Sequence, residues 1–125
     1  MTNAYIPGVC NIGPAEIARR RRSGYGGTAV TAAVLAVVFA TGAPKPVRLL
    51  AVLPASLGAT GFIQAATHFC AGFGMRGVFN FGDTGATDTV EQAEFREEDQ
   101  RKARRILAAS LAAGLAVGGA ALLLP

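Results

Sequence analysis

The fold is decided by the stretch LLAVLPASLGATGFIQAATHFCAGFGM, residues 49–75, where no Asp, Glu, Lys or Arg interrupts the apolar sequence. Residues 23–44 and 106–125 are equally free of these charged side chains. Each stretch is at least as long as the roughly 20 apolar residues that a helix needs to span a bilayer. The sequence therefore predicts an all-α membrane protein with three transmembrane helices, over residues 27–41, 49–71 and 106–124.

The composition agrees with one small membrane domain. The chain has 125 residues, enough for a single domain, and 51% of them are hydrophobic. Basic residues at the borders of the apolar stretches carry the net charge of +4, so we expect contact with lipid headgroups and not with nucleic acid. The predicted headgroup contacts are Arg19, Arg20, Arg21, Arg22, Arg104 and Arg105.

The distribution of the basic residues predicts the orientation in the membrane. Of the 12 Lys and Arg residues, only Lys45 and Arg48 lie between the first and second spans, and all others precede the first span or follow the second. Loops rich in Lys and Arg stay on the cytoplasmic side. We therefore expect the N-terminus in the cytoplasm and the C-terminus outside.

Proline and glycine residues predict the structure of the segment before the second span. Residues 1–24 are expected to form a cytoplasmic segment with a short helix at headgroup level, starting at Pro14. Glycines at 24, 26 and 27 suggest a sharp turn into the first span. The short connection at residues 43–46 makes the first two spans an antiparallel hairpin.

The segment after the second span changes from apolar to charged. Residues 72–88 are predicted as a Gly- and Phe-rich cytoplasmic loop. Asp88 and Glu91 resemble a capping box, which predicts that a charged helix begins near residue 89. This helix should continue into the third span and end at residue 124, which gives the third helix a cytoplasmic extension.

Small and polar residues are spaced for helix packing on two of the spans. The second span carries a polar stripe at every fourth residue, formed by Ser56, Thr60, Gln64 and His68. The third span carries a row of small residues, formed by Ser110, Gly114 and Gly118. Such rows face protein rather than acyl chains and allow close approach of helix backbones. The partner could be this chain, a second copy in a homo-oligomer, or a larger membrane complex.

Cys10, His68 and Cys70 are the candidate residues for chemistry. The predicted topology places all three on the cytoplasmic side, where they could form an open metal site, since imidazole and thiolate are good metal ligands. His68 alone could instead bind a tetrapyrrole. Because the His-x-Cys spacing is not a strong metal-binding pattern, we predict a protein without a cofactor, and a metal or tetrapyrrole at His68 remains an alternative. The alternatives are a hydrogen bond of His68 within the polar stripe, and thiol or sulfur chemistry at Cys70.

Other patterns favour a protein without catalysis of its own. The sequence GFGMRG, residues 72–77, matches the dinucleotide-binding pattern GxGxxG, but it follows a predicted membrane helix and lacks a βαβ context. We interpret its glycines as helix terminators. The sequence contains no set of nucleophile, base and orienting residue. We therefore predict a non-catalytic accessory, structural or assembly subunit of a larger membrane complex, such as a respiratory or photosynthetic one.

Three short motifs lie in the first two thirds of the chain: Asn11-Ile12-Gly13, the arginines at 19–22 followed by Gly24, and Gly61 with Cys70. Through them, residues 11–81 resemble a small membrane domain of unknown biochemical role. That domain occurs alone or appended to rhodanese-type sulfurtransferases in bacterial inner membranes. Its cysteine is typically followed by proline, whereas Ala71 stands here. The resemblance implies a self-associating two-helix hairpin near sulfur chemistry, in a bacterial inner membrane.

Overall fold

The computed structural model describes residues 5–125, so residues 1–4 of the predicted N-terminal segment lie outside the described part of the chain. The elements in chain order are α1 (Pro14–Thr41), a 3₁₀ helix (Lys45–Ala51), α2 (Val52–Thr67), α3 (Ala71–Arg76), β1 (Val78–Phe79), β2 (Asp88–Thr89) and α4 (Ala93–Leu123). Over residues 5–125, three helical segments are long and apolar enough to cross a membrane: α1, the 3₁₀ helix together with α2, and α4. The predicted all-α membrane protein with three spanning helices is confirmed.

Helix α1 is longer than predicted because its glycines serve packing and not a turn. It runs without a break from Pro14 through Gly24 and Gly27, so the expected separate headgroup helix does not exist. A Cβ atom on Gly27 would lie 2.5 Å from the Cα atom of Gly58 in α2. A Cβ atom on Gly61 would lie 2.5 Å from the backbone nitrogen of Gly24. Close packing of the two backbones therefore overrides the low helix propensity of glycine.

Helix α4 packs against the opposite side of α2 through the predicted row of small residues. A Cβ atom on Gly118 would lie 2.5 Å from Val52 Cγ2, and one on Gly114 would lie 2.7 Å from the Val52 carbonyl oxygen. Ser110 is buried, and its hydroxyl donates a hydrogen bond to the Ile106 carbonyl, 2.7 Å away. Of the partners considered above, the structure places α2 of the same chain against this row.

The membrane-distal part of α4 begins later than predicted because the preceding residues pair as a strand. Asp88 pairs with Phe79 and Thr89 with Val78, in antiparallel register. Gln92 is the N-cap of α4, so the predicted capping box does not form. The segment predicted as loop 72–88 also contains most of α3, all of β1 and the first residue of β2, and its longest irregular part is residues 80–87.

The outer surface of the helices is apolar. Large hydrophobic side chains are exposed along α4 at Leu107, Leu111 and Leu115, and along α2 at Leu53 and Leu57. Side chains spaced by four residues share one face of a helix, so these form continuous apolar ridges. In a membrane protein such ridges contact acyl chains. Helix α1, with 28 residues, is about 42 Å long, which exceeds the roughly 30 Å hydrocarbon thickness.

At the end where α1 turns into α2, a buried cation holds the last turn of α4. Arg48 is 7% exposed and donates hydrogen bonds to the carbonyl oxygens of Ala121, 2.9 Å away, and Leu124, 2.8 Å away. Its guanidinium also lies 4.3 Å from the centre of the Phe39 ring. The last carbonyls of a helix carry partial negative charge and lack partners within the helix, so Arg48 caps α4.

Candidate thiol site at the end of the helix hairpin

Cys70 lies in a sharp break between α2 and α3. The break is made by His68, whose backbone is left-handed at φ 56°, and by the Phe69 N–H, which donates to the Gln64 carbonyl at 3.1 Å. The second span therefore ends at Thr67 and not at residue 71 as predicted. Cys70 itself is extended and is the N-cap residue of α3. The chain reversal turns the Cys70 side chain back into the protein, where it is 5% exposed.

The backbone around Cys70 is held by side chains from two distant segments. The Asn11 side-chain amide receives the Cys70 N–H at 2.6 Å and donates to the Cys70 carbonyl at 3.1 Å. Gln64, on α2, accepts the Ala71 N–H through Oε1 at 2.7 Å. Asn11 is fully buried and Gln64 is 8% exposed. Buried hydrogen bonds of this kind fix the position of the cysteine, because leaving any member unpaired carries a desolvation penalty.

The Cys70 sulfur receives two hydrogen bonds. The Arg20 guanidinium nitrogen Nη2 lies 2.8 Å from Sγ, and the Phe73 N–H lies 3.4 Å from it. Two guanidinium groups contact the Phe73 ring, with Arg20 at 5.1 Å and Arg76 at 5.3 Å from its centre. An arginine beside a cysteine is a recurring environment of reactive cysteines.

Arg20 is held in place by a fully buried carboxylate. Glu16, one helical turn earlier in α1, accepts a hydrogen bond from Arg20 through Oε1. Its other oxygen accepts from Asn80 Nδ2 at 2.8 Å and from the Gly85 N–H at 2.9 Å. Glu16 thus accepts three hydrogen bonds, one of them from a cation, as a buried charge requires. The loop between the two strands is thereby tied to α1.

The structure corrects the predicted role of Arg20. It was expected at lipid headgroups with its neighbours, but it is 8% exposed and engaged with Glu16 and Cys70. The physical reason is helical geometry: Arg20 lies one turn from Glu16 on the face that packs against α2, so it neutralises a buried charge. The other arginines of the predicted set are exposed: Arg19, Arg21, Arg22, Arg104 and Arg105.

A cleft beside the sulfur connects the site with the surface. Its volume is about 320 Å³. Its walls come from the first turns of α1, the last turns of α2 and the start of α3. The lining residues are Arg19, Arg20, Ser23, Gln64, Cys70 and Gly72. Cys70 is therefore buried but adjacent to a space that a small molecule can enter.

The structure does not bring the predicted metal ligands together. His68 is exposed, and its backbone carbonyl, not its ring, accepts the Asn11 N–H at 3.1 Å. The Cys10 thiol donates to the Ile12 carbonyl at 3.8 Å, and both cysteines are free thiols. Within residues 5–125 no group of three or more His, Cys, Asp or Glu residues could hold a metal ion. The left-handed turn at His68 separates its ring from the buried site.

The predicted polar stripe is shorter than its sequence spacing suggests. Ser56, Thr60 and Gln64 lie on α2, whereas His68 follows the helix and leaves the stripe. The Thr60 hydroxyl donates to the Ser56 carbonyl at 2.8 Å, and Gln64 positions the chain at Cys70. The Ser56 hydroxyl faces Gly114 of α4 and is buried. The stripe thus faces protein along its length.

Cys10 differs from Cys70 in its surroundings. Cys10 is half-buried, and burial raises the pKa of its thiol. Its neighbour along the N-terminal segment, Tyr5, donates a hydrogen bond to Asp99 of α4 at 2.5 Å. The Gly8 N–H donates to the other oxygen of Asp99 at 2.8 Å. Burial, followed by the hydrogen bond to Asp99, raises the pKa of Tyr5. The N-terminal segment is therefore fastened to α4 as well as to Cys70.

Four residues of the site were not recognised as site residues by sequence reasoning: Asn11, Glu16, Arg20 and Asn80. The i, i+4 spacing of Glu16 and Arg20 was the available signal for an ion pair. The Asn80 side chain also bonds locally, to the Asp83 carbonyl and the Gly82 N–H, but its bond to Glu16 spans 64 positions and leaves no signal in the sequence. No protein-family model matches this chain, and no curated protein or solved structure is significantly similar to it. The function must therefore be argued from the site itself.

Proposed function

We propose that the protein is a small integral membrane protein that carries out thiol or sulfur chemistry at Cys70. The observation that carries the proposal is the convergence of buried polar side chains from three segments on this one residue. Asn11 holds its backbone, Gln64 holds the next residue, and Arg20 donates to its sulfur. A structural cysteine behaves as a small hydrophobic residue and needs none of these contacts.

The chemistry fits a nucleophilic sulfur. The thiolate is the reactive form of cysteine, and cationic neighbours are typical of reactive sites. Arg20 supplies a charge-assisted hydrogen bond at 2.8 Å, and the adjacent cleft provides access for a small reactant. The reaction class is nucleophilic attack of the Cys70 sulfur on an electrophilic atom of a small molecule, with cleavage of the bond between that atom and its leaving group. Where that atom is the outer sulfur of a persulfide donor, Cys70 becomes the persulfide and the donor leaves as its thiol.

The family resemblance supports the same proposal. Of its motif residues, Asn11 hydrogen-bonds to the backbone of Cys70 and Arg20 to the Cys70 sulfur, and Gly24 and Gly61 form the adjacent helix contact. The family typically has proline after its cysteine, whereas this chain has Ala71. The Ala71 N–H donates to Gln64, and a proline would have no N–H to donate. We therefore propose a relationship to the membrane domain that accompanies rhodanese-type sulfurtransferases.

The proposed location is the bacterial inner membrane, with the Cys70 site at its cytoplasmic face. The support is the positive-inside rule, since the end of the bundle that carries Cys70 also carries the runs Arg19–Arg22 and Arg101–Arg105. A cytoplasmic site is kept reduced, which agrees with free thiols at Cys10 and Cys70.

The test is the alkylation rate of each cysteine in membrane vesicles. We expect iodoacetamide to modify Cys70 at least tenfold faster than Cys10, measured by mass spectrometry of the tryptic peptides. Cys10 is the internal reference, because burial raises the pKa of its thiol. A Cys70→Ser variant identifies the Cys70 adduct, and the mass of the untreated protein reveals any sulfur atom already bound there. Equal rates at the two cysteines would contradict the proposal.

A second candidate function is a non-catalytic accessory or assembly subunit of a larger membrane complex, respiratory or photosynthetic. The exposed leucine ridges of α2 and α4 favour it, because helices of a larger complex could cover them as well as lipid. Extraction in mild detergent followed by a native gel tests this candidate. A large band with other subunits would support it. A band of this chain alone would argue against it, and its size would show whether the chain forms a homo-oligomer.

A further inference from the structure

The cleft beside Cys70 carries more positive than negative charge. Arg19 and Arg20 both line it, and the Arg76 guanidinium lies 5.3 Å from the centre of the Phe73 ring that Arg20 also contacts. Among the residues that the structure describes, no acidic side chain lines the cleft. The nearest carboxylate, Glu16, is fully buried and already bound by Arg20, Asn80 and Gly85.

The two lining arginines have different freedom to bind a ligand. Arg20 is buried and fixed between Glu16 and the sulfur, so it places a positive charge at a fixed position beside the sulfur. The Arg19 side chain is 57% exposed and lies 3.6 Å from Glu16, a single long contact that leaves most of its donors free. A guanidinium presents five N–H donors and binds carboxylate-like groups with two parallel hydrogen bonds. Arg19 can therefore receive an anion that enters the cleft.

We propose that this cleft selects a small anion as the reaction partner of Cys70. The anionic group would bind at Arg19 and the hydroxyl of Ser23, with its electrophilic atom facing the Cys70 sulfur. The volume of about 320 Å³ lies at the small end of ligand sites, so the ligand class is a compact anion and not a nucleotide or a peptide. This inference rests on the proposed thiol function and adds its ligand class.

Two alkylating reagents that differ mainly in charge test the inference. Iodoacetate carries a carboxylate, and iodoacetamide carries a neutral amide of nearly the same size. In both reactions the sulfur attacks the CH₂ carbon, a C–S bond forms, the C–I bond breaks, iodide leaves and the thiol proton passes to water. The measured quantity is the ratio of the iodoacetate rate to the iodoacetamide rate, at Cys70 and at Cys10, in membrane vesicles of zwitterionic lipid.

We expect the ratio at Cys70 to be at least fivefold higher than at Cys10. The variant Arg19→Gln should reduce the ratio at Cys70 to near that at Cys10. Its matched control is Arg21→Gln, an exposed arginine on the same helix that does not line the cleft, and this variant should keep the high ratio. Inorganic phosphate should slow the iodoacetate reaction at Cys70 more than that at Cys10.

Each other outcome has a defined meaning. Equal ratios at the two cysteines, with Cys70 still fast toward iodoacetamide, would overturn the anion selection and leave the thiol function standing. An equal loss in Arg19→Gln and Arg21→Gln would attribute the preference to general surface charge, which also overturns the cleft as its source. Slow reaction of Cys70 with both reagents would overturn the anion selection together with the thiol function.

Discussion

Replacing Gly61 with alanine should separate the two helices of the hairpin and disturb the thiol site with them. The new Cβ atom would lie 2.5 Å from the Gly24 nitrogen and 2.6 Å from the Arg20 carbonyl oxygen. Both are backbone atoms, so no side-chain rotation can relieve the overlap. Ordinary contact begins at 3.4 Å, so α1 must move away from α2 by about 0.9 Å, the difference between 3.4 and 2.5 Å.

The loss of stability is estimated by comparison with a matched control variant, Gly26→Ala. A Cβ atom on Gly26, in the middle of α1, meets nothing within 4 Å. Alanine raises helix propensity by up to about 1 kcal/mol at either glycine, and this gain cancels when the two variants are compared. Overpacking typically costs about 1–3 kcal/mol. We therefore expect Gly61→Ala to be less stable than Gly26→Ala by about 1–3 kcal/mol.

The assay is unfolding by SDS in mixed micelles, followed by near-ultraviolet circular dichroism. Tyr25 of α1 and Phe62 of α2 pack edge to face with ring centres 5.1 Å apart, so their signal reports the hairpin contact. In the same sample, alkylation of Cys70 should slow, because Arg20 moves with α1. Equal unfolding midpoints for Gly61→Ala and Gly26→Ala would refute the argument that this glycine contact holds the helices together.

Two further predictions concern the ends of the bundle. Arg48→Ala should speed hydrogen exchange of the backbone amides at residues 119–124 at least tenfold, since hydrogen bonds from charged groups contribute about 1.5–3 kcal/mol. The control Lys45→Ala, at an exposed position, should leave the exchange unchanged. Equal exchange in both variants would contradict the capping role of Arg48. The pKa of Tyr5 is raised, so its contact with Asp99 is fully present below the ordinary tyrosine value of about 10 and is lost only as the pH rises through the raised value. Asp99→Asn should lower the pKa of the Tyr5 phenol toward 10. The titration is read by absorbance in a background that lacks the second tyrosine. An unchanged pKa would exclude Asp99 as a cause of the shift.

The three spans could be predicted from the sequence because the absence of charge over 20 residues is a local property. Burial of an unpaired charge in lipid is costly wherever the helix packs, so no tertiary information is needed. The start of α1, the end of α2 and the start of α4 depended on tertiary contacts and were missed, whereas the end of α1 at Thr41 was predicted correctly. The left-handed backbone of His68 ends α2, and the pairing of Val78 with Thr89 delays the start of α4.

The candidate site could be predicted only in part. Cys70 was identified as a candidate, but its companions were taken from nearby sequence and from cysteine chemistry, as His68 and Cys10. Its actual partners are Asn11 and Arg20, whose hydrogen bonds to Cys70 join residues 59 and 50 positions apart. Spacing within one helix carries no information on such pairs. The sequence also does not show which of the four consecutive arginines faces the protein. The one indication is that Arg20 lies four residues after Glu16, the spacing of an ion pair on one helix face.

The same charge-free stretches that predict the spans also determine where chemistry can occur. Polar side chains in the hydrocarbon region must be paired within the protein, and in this chain hydroxyls such as those of Thr60 and Ser110 bond to carbonyls one turn earlier in their own helices. Among residues 5–125 the buried ionic groups lie at the two ends of the bundle: Arg48 at one, and Glu16, Arg20 and Asp99 at the other. Arg48 donates its hydrogen bonds to the carbonyls at the end of α4, whereas Arg20 reaches Cys70, the proposed nucleophile, beside an open cleft. Because Arg20 lies one turn from the glycine contact of the hairpin, the distance between the membrane helices sets the distance between guanidinium and sulfur. A change in the packing of α1 against α2 should therefore change the alkylation rate of Cys70, which the Gly61→Ala variant tests.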